Sequence, residues 1–208
     1  IVAIVLVIGI SYYWTSASLA DKNSEISSLQ ESLTEKSSEI ATLKSYIENV
    51  QSFEKLLLKG ISHQEDGLVN VGYGKSDYDD FSRNYEAGFY DAAQGYAESV
   101  DIFYGYAVNC FESAKARFEQ ARRYAPNDKY LQLIDNYINA TECGRRLYNE
   151  MHQVGEYFAS ACNYYFQGLW STGDKELEEG NIHLEAHDNL VPIYNEYLAN
   201  IDTLLDDW

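Results

Sequence analysis

Hydrophobic and polar positions alternate along this chain with the period of an α-helix over most of its length. After residue 20, apolar residues recur at intervals of three and four, the a and d spacing of a helix that packs on another helix. The octapeptide at residues 22–29, KNSEISSL, returns fourteen residues later as KSSEIATL at residues 36–43, which is a shift of two heptads. The pattern predicts a coiled-coil-like helix over residues 21–59, interrupted at Lys36 and Glu54. Its a and d positions are Ile26, Leu29, Leu33, Ile40, Leu43, Ile47, Val50 and Leu57.

The segment before this helix, residues 1–20, contains no charged side chain and begins with the run IVAIVLVIGI. A helix of 20 residues is about 30 Å long, which is the thickness of the hydrocarbon layer of a membrane. Tyr12, Tyr13 and Trp14 are typical of a membrane interface, and they leave only residues 1–13, roughly 20 Å of helix, for the apolar layer. We therefore predict an apolar helix over residues 1–20 that anchors the protein in lipid or against copies of itself.

Glycines interrupt the pattern in residues 60–75, where the helical period is lost. This stretch contains Gly60, Gly67, Gly72 and Gly74. Because glycine is a strong breaker of regular structure, the sequence predicts a loop or hinge here.

Three further helical patterns follow and define the predicted head, residues 76–208. The first begins at Asp77 and ends before Pro126, with Gly88, Gly95 and Gly105 as close helix contacts or a break. The second begins after residues 127–128 and stops at residues 171–174, and the third is kinked or restarted near Pro192. Helices joined by short turns run antiparallel. The predicted fold class is all-α, with a long N-terminal apolar and heptad helix followed by an elongated antiparallel up-down bundle.

Charge excludes one class of partner. The 208-residue chain carries 33 acidic and 15 basic side chains, a formal net charge of -18. Most of this charge lies in residues 60–208, where 26 acids and ten bases leave a net charge of -16. Such a surface repels phosphate backbones, so we expect no nucleic-acid partner. The chain also has nineteen tyrosines and only two prolines, a composition that favours long helices packed through amphipathic rings.

Cysteine spacing indicates neither a zinc site nor a redox motif. Cys110, Cys143 and Cys162 form either one disulfide and one spare thiol, if the domain lies outside the cell, or three small buried side chains. Asn139 begins an Asn-Ala-Thr glycosylation sequon within a predicted helix.

Two histidines form the strongest candidate for a chemical site. His183 and His187 lie one turn apart and, with Glu179, share one face of the last predicted helix. A metal there needs a further ligand from another helix, and the alternative is a solvated polar face. The sequence contains no nucleophile elbow, phosphate loop or dinucleotide fingerprint. We therefore predict no catalytic, cofactor-binding or metal-binding residue.

The apolar helix without a preceding methionine, followed by a long amphipathic helix and a head, resembles a mature type IV pilin. The glutamate that bacterial pilins carry at the fifth mature position is Val5 here, which is more similar to archaeal pilins. An all-helical head is similar to that of Tad-like members. The resemblance implies cleavage by a prepilin peptidase at or a few residues before Ile1, and packing of residues 1–13 against neighbouring subunits.

The predicted function is thus a structural subunit of an extracellular type IV pilus-like filament, with its head displayed outward for adhesion or surface display. Its partners are copies of itself, and the membrane before assembly. Two alternatives stay open: a single-pass membrane-anchored coiled-coil protein presenting a helical sensory or scaffolding domain, and an accessory subunit of a membrane complex. In the first two cases the helical domain lies outside the cell. Predicted self-assembly residues are Ile1, Ile4, Val5 and Ile8, together with the eight a and d residues named above.

Overall fold

A computed structural model describes the backbone of residues 2–206 and the side chains of residues 12–206. Four α-helices follow one another: α1 (Val2–Glu86), α2 (Tyr90–Arg122), α3 (Asp128–Phe166) and α4 (Trp170–Asp206). No β-strand occurs in the part of the chain that is described. The predicted all-α fold class is confirmed.

The chain divides into two compact units, Ile1–Glu48 and Asn49–Trp208. The second unit contains the last part of α1 together with α2, α3 and α4, and it holds the hydrophobic core. The predicted head begins too late, at residue 76, because the sequence pattern does not reveal that α1 already packs in the bundle from residue 49 onward.

Contacts within the second unit define an up-down-up-down four-helix bundle. The end of α2 pairs with the start of α3 through Arg122 Nε and Asp135 Oδ1, 2.6 Å apart, so these helices run antiparallel. The end of α3 meets the start of α4 where the Tyr165 hydroxyl donates to Asp174 Oδ1 at 2.8 Å. Helix α1 runs parallel to α3. Its ring pairs with α3 are Phe53 with Tyr130, 5.2 Å between centroids, and Phe81 with Phe158, 4.9 Å.

Local sequence signals explain all three turns. Gly88 and Gly168 follow α1 and α3 with φ of 77° and 76°, a left-handed conformation that glycine adopts without a steric cost. Asn127 caps α3, since its Oδ1 accepts from the backbone nitrogens of Lys129 and Tyr130 at 3.0 and 3.2 Å. The predicted boundary at Pro126 is confirmed, and of the three glycines in the first head pattern Gly88 marks the break.

The predicted loop over residues 60–75 is wrong, because α1 continues through it without interruption. Three of the four glycines in this stretch are buried, and each faces an aromatic ring of α2. A Cβ atom at any of the three would lie 2.4 to 2.7 Å from a ring carbon, so glycine here makes room for a side chain rather than breaking the helix. The pairs, each seven residues apart on both helices, are Gly60 with Phe118, Gly67 with Phe111 and Gly74 with Tyr104.

Helix α4 differs from its predicted limits in two ways. It begins at Trp170, so residues 171–174 belong to its first turn and do not form the predicted stop. It also continues through Pro192 as one helix, and the predicted restart there is not observed.

The bundle core consists of two clusters of buried side chains. The larger cluster includes Phe81, Phe111, Tyr148 and Phe158, and draws on all four helices. The smaller one surrounds Phe53 and lies where α1 enters the bundle. Burial of each such large side chain stabilises the fold by about 1.5–3 kcal/mol.

Candidate functional site

The predicted self-assembly face of α1 is exposed in the first unit. Its six apolar side chains from residue 26 to residue 47 have exposed fractions between 52% and 69%. An apolar stripe of this length is unusual on a monomer surface and indicates an interaction surface. We call these residues the heptad face: Ile26, Leu29, Leu33, Ile40, Leu43 and Ile47.

The heptad face ends earlier in α1 than the predicted set. Val50 is half-buried, and Leu57 packs against the smaller core cluster around Phe53, so Leu57 serves the bundle of its own chain. At the other end, the side chains of the predicted residues Ile1, Ile4, Val5 and Ile8 lie outside those that the structure describes.

Two ion pairs repeat along the same segment at the fourteen-residue period of the sequence. Lys22 Nζ lies 2.8 Å from Glu25 Oε2, and Lys36 Nζ lies 2.8 Å from Glu39 Oε2. Both lysines occupy d positions of the heptad frame, Lys22 before the apolar seam and Lys36 within it. Each therefore already carries a neutralising carboxylate on its own helix.

Tyr12, Tyr13 and Trp14 are exposed, with fractions of 76%, 72% and 72%. The membrane anchor predicted for residues 1–20 falls largely on side chains outside the described set. Within the described residues, none of the helices has a stretch long and apolar enough to cross a membrane.

A groove of about 460 Å³ opens between α1 and α4 in the bundle. Its floor is formed by buried side chains of α2, α3 and α4, and its walls by residues 71–79 of α1 and residues 184–195 of α4. The floor consists of Tyr104, Leu147, Tyr148, Met151 and Tyr194. Since these residues come from three helices, no sequence pattern indicated the groove.

Tyrosines on the groove floor differ in their hydrogen bonding. Gln64 Nε2 donates to the Tyr194 hydroxyl at 3.5 Å, and Tyr194 is also hydrogen-bonded to Tyr148. The Tyr104 ring stacks on that of Tyr148 at a centroid distance of 6.0 Å. The Tyr104 side chain is only 4% exposed, and its hydroxyl has no hydrogen-bond partner among the described residues. This hydroxyl is a donor and acceptor left available to whatever enters the groove.

Acidic side chains dominate the electrostatics of the groove. Burial raises the pKa of Tyr104 to about 12, and the charge of Asp79 contributes to the shift. Burial likewise raises the pKa of Tyr78, the charges of Asp188 and Asp79 raise it further, and a hydrogen bond with Ser82 acts in the opposite direction. The phenols stay protonated at neutral pH, and the carboxylates impose a negative potential on them.

The two histidines that the sequence singled out have different partners. His183 Nδ1 lies 2.7 Å from Glu150 Oε2 of α3, and its ring stacks on Tyr157 at 5.3 Å. His187 Nδ1 instead lies 3.0 Å from Asp188 Oδ1. Within the described residues no three His, Cys, Asp or Glu side chains are placed to hold a metal ion.

One further polar pair was not visible in the sequence. His152 Nδ1 contacts the carboxylate of Asp101 and lies 3.0 Å from the Asp101 carbonyl oxygen. Burial raises the pKa of Asp101, partly against the effect of His152. The two residues are 51 positions apart and meet only because α2 and α3 pair.

The three cysteines are free, which agrees with the alternative of small side chains within the fold. Cys143 and Cys162 are buried and Cys110 is half-buried. Burial raises the pKa of all three thiols, that of Cys162 to about 12, so none is activated as a nucleophile. Asn139 lies on an exposed position of α3, where its sequon stays a prediction.

Comparisons of the chain with protein families, with curated proteins and with solved structures find no match.

Proposed function

We propose that this protein is a structural subunit of an extracellular filament, which assembles with copies of itself through α1 and displays its acidic four-helix bundle. The observation that carries the proposal is the exposure of the heptad face, whose side chains are 52% to 69% exposed. An apolar stripe with a 3,4 repeat is buried when a second helix of the same spacing packs against it. The partner with a matching stripe is another copy of this chain.

The composition of the heptad face favours two parallel strands. Three of its four a positions carry isoleucine (Ile26, Ile40 and Ile47) and the fourth carries Leu33, while Leu29 and Leu43 occupy d positions. β-branched residues at a with leucine at d favour parallel two-stranded coiled coils. We infer that the α1 helices associate side by side, in the same direction and in register.

Flanking charges support the same arrangement. In the heptad frame Glu39 occupies a g position and Lys44 occupies the next e position. In a parallel pair of helices, the g residue of one helix lies beside the following e residue of the other. Lys36, at the d position before Glu39, is neutralised by Glu39 of its own helix at 2.8 Å. Opposite charges therefore meet across the proposed interface.

The filament is supported by the apolar start of the chain and by the charge of the bundle. Residues 1–13 carry no charge and supply cohesion in the filament core by the resemblance to pilins. The unit Asn49–Trp208 carries 27 acidic and 12 basic side chains, net -15, which keeps displayed bundles soluble and apart.

Electron microscopy of material sheared from producing cells, with mass spectrometry of the N-terminus, tests the filament. We expect filaments that contain this chain as their subunit. The variant Val5→Asp places a charge in the proposed core and should abolish filaments, while circular dichroism shows unchanged helix content. Unimpaired filaments of Val5→Asp would contradict the proposal.

The second candidate is a membrane-anchored coiled-coil protein that presents the bundle as a binding domain. The groove between α1 and α4 favours it, because a structural head has no need of a cavity of about 460 Å³. Recovery of the chain only from detergent-extracted membranes, with additional upstream residues, would support this candidate over the filament.

A further inference from the structure

We propose that the groove between α1 and α4 binds a small organic amine. The apolar body of the amine lies on the tyrosine and methionine floor, and its ammonium group lies between Asp79 of α1 and Asp188 of α4. This site is independent of the heptad face, and it belongs to the bundle in either candidate function.

The dimensions and floor of the groove suit a small, largely apolar molecule. Its volume of about 460 Å³ is within the range of small-molecule sites, and its floor side chains are 3% to 6% exposed. Val71 and Val191 supply apolar surface on the two walls. A ligand with an aromatic or branched aliphatic body fills such a space and removes that surface from water.

Positive charge in the ligand follows from the side chains around this floor. Asp79 and Asp188 contribute two negative charges and Lys75 one positive charge, and Asp188 Oδ1 also lies 3.0 Å from His187 Nδ1. The bundle unit as a whole carries -15. The faces of tyrosine rings also attract cations. An anion of the same shape meets repulsion from both the groove and the whole unit.

One polar group inside the groove points to a ligand with a hydrogen-bonding end. The Tyr104 hydroxyl, on a side chain 4% exposed, has no partner among the residues that the structure describes. The oxygen is reached by solvent and faces the open groove, so an amine N–H can donate to it without displacing a partner within the protein. The charge of Asp79 raises the pKa of the Tyr104 hydroxyl, so the carboxylate and the hydroxyl are close enough to interact within the groove.

Titration calorimetry of the full chain with two probes of equal shape tests the charge selectivity. Phenethylammonium carries the proposed charge, and 3-phenylpropionate carries the opposite charge on a similar body. We expect phenethylammonium to bind at least about tenfold more tightly than 3-phenylpropionate. Equal affinities, or no measurable binding of phenethylammonium, would overturn the proposal.

Three variants test whether phenethylammonium binds in this groove. Tyr104→Phe removes only the hydroxyl and should weaken phenethylammonium binding by about two- to tenfold. Asp79→Asn should weaken it by about fivefold, since the carboxylate is exposed to solvent. Val191→Trp fills the groove and should abolish binding. Glu98→Gln, which removes a charge from α2 outside the groove lining, is the matched control and should bind like the parent chain.

Circular dichroism melting separates loss of binding from loss of the fold. If Val191→Trp melts early, Tyr104→Phe decides the question, because it changes no packing volume. Binding that is the same in Tyr104→Phe and Asp79→Asn as in the parent chain would place the amine elsewhere and refute the site.

Discussion

Gly67 of α1 lies against the ring of Phe111 of α2, so closely that a Cβ atom on Gly67 would be 2.7 Å from Phe111 Cδ2. The opposite edge of the same ring faces Gly144 of α3, where a Cβ atom would be 2.4 Å from Phe111 Cε1. The ring is fully buried and held between two glycines. It has no room to move aside for an added methyl group on either helix.

Replacement of Gly67 by alanine should therefore destabilise the bundle. We expect a loss of about 1–3 kcal/mol in the free energy of unfolding, because the added methyl overpacks a core that cannot adjust. Gly72→Ala is the matched control, since no atom lies within 4 Å of the Cβ position there. That control should stabilise the same helix by about 0.5–1 kcal/mol. Urea unfolding followed by circular dichroism measures both, and equal effects would contradict the packing.

The heptad face predicts a charge-sensitive self-association. Ile40→Asp puts a carboxylate on this face and removes about 1.5–3 kcal/mol of apolar burial per chain, so the dissociation constant should rise by at least about tenfold. Ser38→Asp introduces the same charge two residues away, on the outer face of the helix, and should associate like the parent chain. Sedimentation equilibrium gives both constants. An Ile40→Asp chain that associates normally would rule out this face.

The parallel, in-register arrangement predicts cross-links between identical positions. Leu29→Cys and Leu43→Cys, made separately, should each form a disulfide-linked dimer under mild oxidation, because equivalent d residues face each other in a parallel pair. An antiparallel pair brings equivalent positions together at only one point along the helix. Ser45→Cys, on the outer face, is the control and should stay monomeric on non-reducing gels.

Acid stability should depend on Glu142. A hydrogen bond from Arg145 lowers its pKa from 4.5 to about 2, against the effect of burial, and Lys115 lowers it further. Because the pKa is lower in the folded state, the stabilisation is present above pH 4.5 and is lost as the pH falls towards 2.

Glu142→Gln should therefore lower stability at pH 6 and make the decrease between pH 4.5 and 2 shallower. The carboxylate is about one third exposed, so we expect at most about 1 kcal/mol at pH 6. Glu119→Gln, whose carboxylate lies 3.9 Å from the same Lys115, should show the slope of the parent chain. Urea unfolding across this pH range would detect the difference, and parallel slopes for all three chains would refute it.

The amino-acid sequence by itself determined the elements whose signals are local. The helical period gave the all-α class, and Pro126 with the capping Asn127 gave the boundary between α2 and α3. The 3,4 repeat of residues 26–47 defined a face that the structure leaves exposed. These features depend on residues within one or two helical turns of each other. Contacts over this distance along the chain leave a pattern in the sequence.

Only the tertiary structure decided the role of residues 49–86. There the buried positions of α1 recur at intervals of three, four and seven, but they include Gly60, Gln64, Gly67 and Gly74, which no hydrophobic pattern counts. Glycine is suitable at these positions because Phe118, Phe111 and Tyr104 of another helix occupy the space. The groove likewise is lined by both Asp79 of α1 and Asp188 of α4, two helices that lie at opposite ends of the bundle unit's sequence. Whether a small residue breaks a helix or receives a ring depends on its partner, and partners are set by packing between distant segments.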